Sequence, residues 1–214
     1  MADIRIPLFP LNVVLFPGAS LPLHIFEPRY KLMIQRCVRH NWEFGVILAR
    51  ENGVTAVGCT AKITRKLKDY EDGRMDILTQ GRARFRALHL LQEKDYHEAI
   101  VEFLDDLPAA AADSTSEPAA GEDEAVLLAL FQECHTLIYG QLWTTTGFDS
   151  PWPLSFQMAA RLPLDLDEKQ VLLELRIEIE RRRFLTQRLN DLLPRLNQLH
   201  RAQRGASGNG HTLN

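Results

Sequence analysis

Apolar positions in the first hundred residues recur at two periods, and proline punctuates the first of them. Ile6-Pro7-Leu8-Phe9-Pro10-Leu11, Leu15-Phe16-Pro17-Gly18 and Leu21-Pro22-Leu23-His24-Ile25 are short apolar runs that no long helix can accommodate. Proline lacks the N–H that a central ladder needs, so these runs predict edge strands or strand starts joined by rigid turns. The period then changes. Pro28 suits the first residue of a helix, Tyr30, Met33, Ile34, Cys37 and Val38 return at helical spacing, Arg29, Gln35, Arg36 and Arg39 face outward, and Asn41 ends the segment. Strand-like residues follow at Phe44–Leu48, and alternation resumes at Val57, Cys59, Ala61 and Ile63 and again at Met75, Ile77, Ala83 and Phe85. Asp72-Gly73 between them signals a hairpin. The apolar positions are odd-numbered in both strands, so odd must face odd if one face is to be buried. A two-residue loop at Asp72-Gly73 would pair Glu71 with Arg74 and break that rule; a three-residue loop containing Gly73, or an equivalent bulge, restores it. A third strand, Tyr96–Leu104, sets Ala99, Val101 and Phe103 on one face and Glu98 and Glu102 on the other.

The pattern changes character after Leu104. Residues 105–124 are Asp-rich at their ends and hold Pro108, an alanine run, Ser114-Thr115-Ser116 and Pro118, the composition of a boundary. Helical periodicity dominates from there: Ala125–Leu142, then Pro153–Leu162, then a long helix from about Leu166 opened by an Asp165/Glu168 capping box. Leu185, Leu189, Leu192, Leu196 and Leu199 form a narrow seam at 4-3-4-3 spacing. Pro194 is expected to kink or interrupt it, at about 3 kcal/mol. The expected organisation is a β subdomain over 1–106, an acidic, Ala-rich loop or linker over 107–124, a helical subdomain over 125–200 and a disordered tail over 201–214. No internal repeat is visible. The fold class is α+β.

Composition narrows the function classes. Net charge is −3 over 214 residues, but unevenly: residues 1–104 carry 15 basic and 12 acidic side chains, 105–170 carry 2 and 12, and 171–214 carry 8 and 4. An acidic middle opposes a general nucleic-acid binder, whose footprint is a strongly basic domain. Cys37, Cys59 and Cys134 are three in number and far apart, without metal or redox spacing, so free thiols in a reducing compartment are expected. The early prolines break any signal-peptide helix, and no apolar run approaches the ~20 residues of a membrane span, so the chain reads as cytoplasmic and not membrane-bound. No Gly-Lys-Ser/Thr phosphate loop, H-E-x-x-H or G-x-S-x-G occurs. No catalytic residue, metal or cofactor is therefore expected.

Three groups are candidate binding residues, each with a plainer alternative. The register above puts Lys62 opposite Arg84, with Lys66, Arg82 and Arg86 on the same outward face. Like charges across a ladder repel, so either an acidic ligand or the chain's own Glu98 and Glu102 should lie nearby. Trp143, Phe148 and Trp152 cluster in a turn-rich connection, where they either anchor a peptide or partner or dock the helices on the sheet. The Leu185, Leu189, Leu192, Leu196 and Leu199 seam either packs on the chain's own helices or pairs with a second copy or a partner. Arg181-Arg182-Arg183 reads as a solvated face and His24 as a structural histidine.

The proline-punctuated opening resembles the amino-terminal, substrate-binding domain of the Lon protease family. Val57–Ile63, Asp72-Gly73-Arg74 and Leu78–Arg86 resemble that family's central hairpin, and Met158–Glu174 its helical part with the start of the exit helix. Phe26-Glu27-Pro28-Arg29-Tyr30 is closer to stand-alone bacterial members and to LON domains of cereblon-like and RING-containing proteins. The likeness spans roughly residues 4–195. It implies a PUA-like, partly open β-barrel with one helix, followed by a helical subdomain ending in a long C-terminal helix. It also implies recognition of unfolded or degron-bearing polypeptide, or of a protease or other partner, with an adaptor role in proteolysis or quality control. The family's ATPase and peptidase motifs are missing. A PUA-like RNA-binding protein is the alternative, and homo-oligomerisation through the C-terminal helix is a further expectation.

Overall fold

The computed structural model describes residues 4–91, 94–108, 120–141 and 151–208. In chain order the elements are β1 (Ile4–Leu11), β2 (Ser20–Ile25), α1 (Pro28–His40), β3 (Phe44–Arg50), β4 (Gly53–Asp69), β5 (Met75–Leu91), β6 (Glu98–Phe103), α2 (Ala120–Tyr139), α3 (Leu154–Ala159), α4 (Leu166–Glu174) and α5 (Glu178–Gly208). Contacts divide the chain into two compact units. One holds residues 1–106 and 150–176, the other residues 107–149 and 177–214. The helical part expected over 125–200 is thus shared between them.

In the first unit the strands run β2-β5-β4-β3-β1-β6, and β5 also pairs with β6. That extra pairing brings β1, β3, β4, β5 and β6 around a small barrel, while β2 stays outside on the first half of β5. The result is a partly open barrel. Inside it Ile6, Leu8, Ile47, Phe85, Ala99 and Val101 form one buried cluster. Phe85 fills space that two glycines leave: a Cβ at Gly45 or Gly58 would come within 2.6 Å of its ring.

The prolines behave partly as expected. β2, with Pro22, pairs only with β5 among the described strands and is an edge. β1 is not an edge. Its first half, Ile4–Pro7, runs antiparallel to β6, and its second half, Leu8–Leu11, runs parallel to β3. Because β1 changes partner midway, Pro7 and Pro10 each lie in a half with one neighbour, which leaves room for a missing N–H.

Helix α1 starts at Pro28 and ends at Asn41, whose left-handed φ of 56° closes it with a hydrogen bond to Val38 O. Tyr30, Met33, Ile34 and Cys37 are buried, whereas Val38 is exposed. The capping box at α4 is present, with Glu168 N–H donating to Asp165 Oδ1 (2.8 Å) and Asp165 N–H donating to Glu168 Oε2 (3.1 Å). The long helix expected from Leu166 is broken: α4 stops at Glu174, Leu175 is extended, and α5 begins at Glu178.

In the second unit α2 packs along α5. Pro194 lies inside α5 without ending it, at the loss of the one bond its absent N–H would make, and the helix continues past Arg201 to Gly208. The three arginines are not one solvated face. Arg181 is wholly buried against Glu178, Arg182 bonds Glu124 and Glu178, and Arg183 is exposed. The seam is graded. Leu185 and Leu189 are buried, Leu192 and Leu196 half-buried, and Leu199 is 61% exposed.

Candidate functional site

One bulge organises the surface of the first unit. Tyr70 N–H bonds Arg74 O across a three-residue turn holding Gly73, as the parity argument requires. Register then slips three times along β4 and β5, so Ala61 faces Gly81 but Cys59 faces Arg84. Two β5 residues, Arg82 and Ala83, thus stand against Thr60 alone. Such a bulge re-aims side chains and flips the alternation beyond it. Arg82 and Ala83 are both exposed, and Arg84 and Phe85 both buried. Thr60 receives Ala83 N–H on its hydroxyl oxygen (3.1 Å), so its one proton goes to Glu43 Oε2 (2.6 Å).

Two depressions meet at this point. The first, about 640 Å³, is lined by Arg5, Pro7, Trp42, Glu43, Thr60, Lys94, Glu98 and Phe103. The second, about 460 Å³, is lined by Arg82, Arg84, Asp106, Trp152 and Phe156, and it shares Glu43 and Phe103 with the first. Together they make one groove with exposed aromatic walls: Trp42 is 48% exposed and Phe103 40%. Trp42 stacks on His40 with ring centroids 4.7 Å apart. At the far end of the first depression Glu98, only 4% exposed, takes Lys94 Nζ at 2.7 Å and Arg5 Nε at 3.0 Å. Burial pushes the Glu98 carboxyl up, but the hydrogen bonds from Lys94 and Arg5 outweigh it and hold the group below the usual carboxylate range.

The candidate residues are dispersed by this geometry. Lys62 is opposite Gln80, not Arg84, because the register slips; its ammonium bonds Asn41 O (2.8 Å) and Oδ1 (2.6 Å). Lys66 pairs with Asp69 at 2.7 Å. Arg86 faces Glu102 across the β5–β6 ladder, the acidic counterpart expected from parity. Arg84 is not outward at all. It is 3% exposed, pairs with Asp106 and donates to Leu173 O and Leu175 O. Arg82 lies over the Trp152 ring, 5.4 Å from its centroid.

Trp152 itself covers Gly18, whose φ of +80° and lack of a side chain admit the ring; a Cβ there would sit 2.2 Å from it. Beneath, Phe156 of α3 stacks on Phe16 at 5.6 Å. Trp152 therefore docks the α3 segment on the barrel and also forms part of the groove wall. Trp143 and Phe148 lie outside the described residues. His24 bonds Asp76 across the β2–β5 pair, Nδ1 to Oδ1 at 2.6 Å.

Trp42, Glu43, Thr60 and Phe103 escaped the sequence argument. The available signal was Trp42-Glu43 directly after the residue that ends α1. Phe103 shares parity with buried Ala99 and Val101 and so reads as core, but it lies at the end of β6 on the rim. No cluster of three or more metal-ligating side chains occurs among the described residues, and no described helix is long and apolar enough to cross a membrane.

Comparison with known proteins fits this architecture. The Lon protease of Anaeromyxobacter dehalogenans is 27% identical over 213 residues, covering 94% of this chain and 25% of that protein. Lon protease 2 of Myxococcus xanthus is 27% identical over 79% of this chain and 21% of its own length. The chain thus spans about a quarter of the length of the curated relatives it matches. In fold it is similar to a Lon N-terminal domain protein from Xanthomonas campestris, with TM-score 0.60, 23% identity and coverage of 83% of this chain and 94% of that one. It is likewise similar to the N-terminal domain of Mycobacterium avium complex Lon protease, with TM-score 0.60, 16% identity and coverage of 88% and 99%. The model of the ATP-dependent protease La (LON) substrate-binding domain matches residues 5–191, and the chain belongs to that family.

Proposed function

We propose that this chain is a non-catalytic recognition module that holds polypeptide segments in the groove between Trp42, Phe103 and Trp152, and that it serves proteolysis or quality control as an adaptor. The observation that carries the reading is the groove itself. Large aromatic side chains stand exposed around a concavity whose polar walls are already braced by internal bonds. Rigid aromatic anchors beside fixed polar groups suit an extended apolar segment. Membership of a substrate-binding family supports the same assignment. An RNA-binding role draws less support, because Lys62, Lys66 and Arg84 of the expected basic face each have an acceptor within the chain.

The test is fluorescence anisotropy with a labelled, reduced and carboxymethylated polypeptide that cannot fold. Saturable binding is expected, weakened about tenfold or more by Trp42→Ala or Phe103→Ala, with the polypeptide recovered intact. Absence of binding, or cleavage by the pure chain, overturns the reading.

A further inference from the structure

Glu43 stands at the junction of the two depressions, and its described partners include no cation; Asp105, which lines the second depression alone, is the other groove carboxylate without one. Glu98 is braced by Arg5 and Lys94, and Asp106 pairs with Arg84. Among the described residues Glu43 accepts only the Thr60 hydroxyl. Arg82 lines the same depression, but its guanidinium is laid over Trp152.

The position of this carboxylate is built. Thr60, 1% exposed, sits in the bulge, and Ala83 N–H occupies its oxygen as an acceptor, so its proton is committed to Glu43. The Glu43 carboxylate is thereby held in place in a depression that the exposed rings of Trp42 and Phe103 also line. Aromatic faces and a carboxylate attract the same group, a cation carried on an apolar stem.

We infer that Glu43 is a specificity determinant, and that the groove selects segments placing a lysine or arginine side chain between large apolar residues. The apolar neighbours cover Trp42 and Phe103, and the cation meets Glu43. This rests on the groove reading above and goes beyond it by assigning the class of segment taken.

The experiment uses three labelled peptides, N-acetylated and C-amidated so that only a side chain can bring charge. Leu and Phe flank a central lysine, norleucine or glutamate. The whole chain should bind the lysine peptide at least fivefold more tightly than the norleucine peptide, and the glutamate peptide most weakly. In Glu43→Gln, which keeps an acceptor for Thr60, the gap between lysine and norleucine should fall below twofold. Glu43→Lys should invert the order, favouring the glutamate peptide. Equal affinity for lysine and norleucine in the native chain, or a gap that survives Glu43→Gln, overturns this inference and leaves the groove reading standing. Failure of all three peptides to bind overturns both.

Discussion

Arg84 donates through Nη1 to the Leu175 carbonyl at 2.7 Å, ninety-one residues away along the chain. The same nitrogen bonds Leu173 O at 2.9 Å, and Nη2 pairs with Asp106. These carbonyls belong to the end of α4, where helical partners run out. A buried guanidinium fork supplies the missing donors, and its charge suits the negative end of the helix dipole. Beside it Arg176 Nε bonds Asp105 O at 2.9 Å, which pins the residue after the break. The end of α4 is thus set by β5, not by any local stop signal.

Removing that fork should be costly. Arg84→Met leaves two carbonyls and Asp106 without their donor, and loss of one partner from a buried charge network costs about 3 kcal/mol or more. Arg84→Lys keeps the charge but not the fork and should fall between Met and the native residue. Urea denaturation of the three chains checks the order. A loss under 1 kcal/mol for Met would show that Arg84 is not what holds α4.

Thr60 bridges the bulge, so its hydroxyl matters more than its volume. Thr60→Val has the same shape, yet it strips Ala83 N–H of an acceptor and Glu43 of a donor. Such a change should cost about 1–2 kcal/mol in denaturant, whereas Thr60→Ser should recover most of it. Equal stability of Val and Ser at this site would remove the hydroxyl from the account.

These two residues also mark the limit of what the sequence discloses. The helix from Pro28 to Asn41, the turn at Gly73, the capping box at Asp165 and the edge position of β2 all rest on neighbours in sequence, and local chemistry determines them. Bulges carry no comparable mark. The slip at Thr60 is settled by barrel closure and by one hydroxyl between two strands, and it reverses the faces of Ala83 and Arg84 while Phe85 stays buried and Arg86 exposed. That is why Arg84 reads as surface from its parity and is in fact core. The break at Leu175 is illegible for the same reason, since no glycine or proline lies between Glu174 and Ile177. The groove follows from both: Phe103 and Trp42 become neighbours only once the strands have closed.

Close backbone approach makes Gly81 the glycine least open to change. A Cβ there would lie 2.1 Å from the Phe16 carbonyl oxygen, a backbone atom that cannot swing aside while Gly81 N–H bonds Ala19 O and Gly18 N–H bonds Gly81 O. Gly53 has nothing within 4 Å of such a Cβ, although its φ of +139° is itself strained for an L residue. Gly81→Ala should cost several kcal/mol, on the order of an overpacked core, and Gly53→Ala about 1–2 kcal/mol. Thermal unfolding of the pair should show the larger fall in Tm for Gly81→Ala; the reverse order would contradict the clash.

All three thiols should be inert in the folded chain. Burial pushes Cys59 up to about 12 and Cys37 and Cys134 each up to about 11, so almost no thiolate exists near neutral pH. Iodoacetamide at pH 8 should leave the native protein unmodified and should label three sites once denaturant is added. A thiol alkylated natively as fast as free cysteine would locate an opening in its surroundings.

Glu98 gives the acid limb of stability a defined origin. Burial opposes its ionisation, but Lys94 and Arg5 more than offset that cost, so its folded value lies below the unfolded one of about 4.3. A depressed carboxyl contributes stability that is fully present above its unfolded value and is lost as pH falls through the folded value. The difference in unfolding free energy between the native chain and Glu98→Gln should accordingly be constant from about pH 6 to 7. It should then shrink steadily below about pH 4.5, as protonation turns the native side chain into a neutral one. Urea denaturation across that range measures it directly. A difference that grows on acidification would mean that burial dominates the site, and that Arg5 and Lys94 do not hold the charge the geometry gives them.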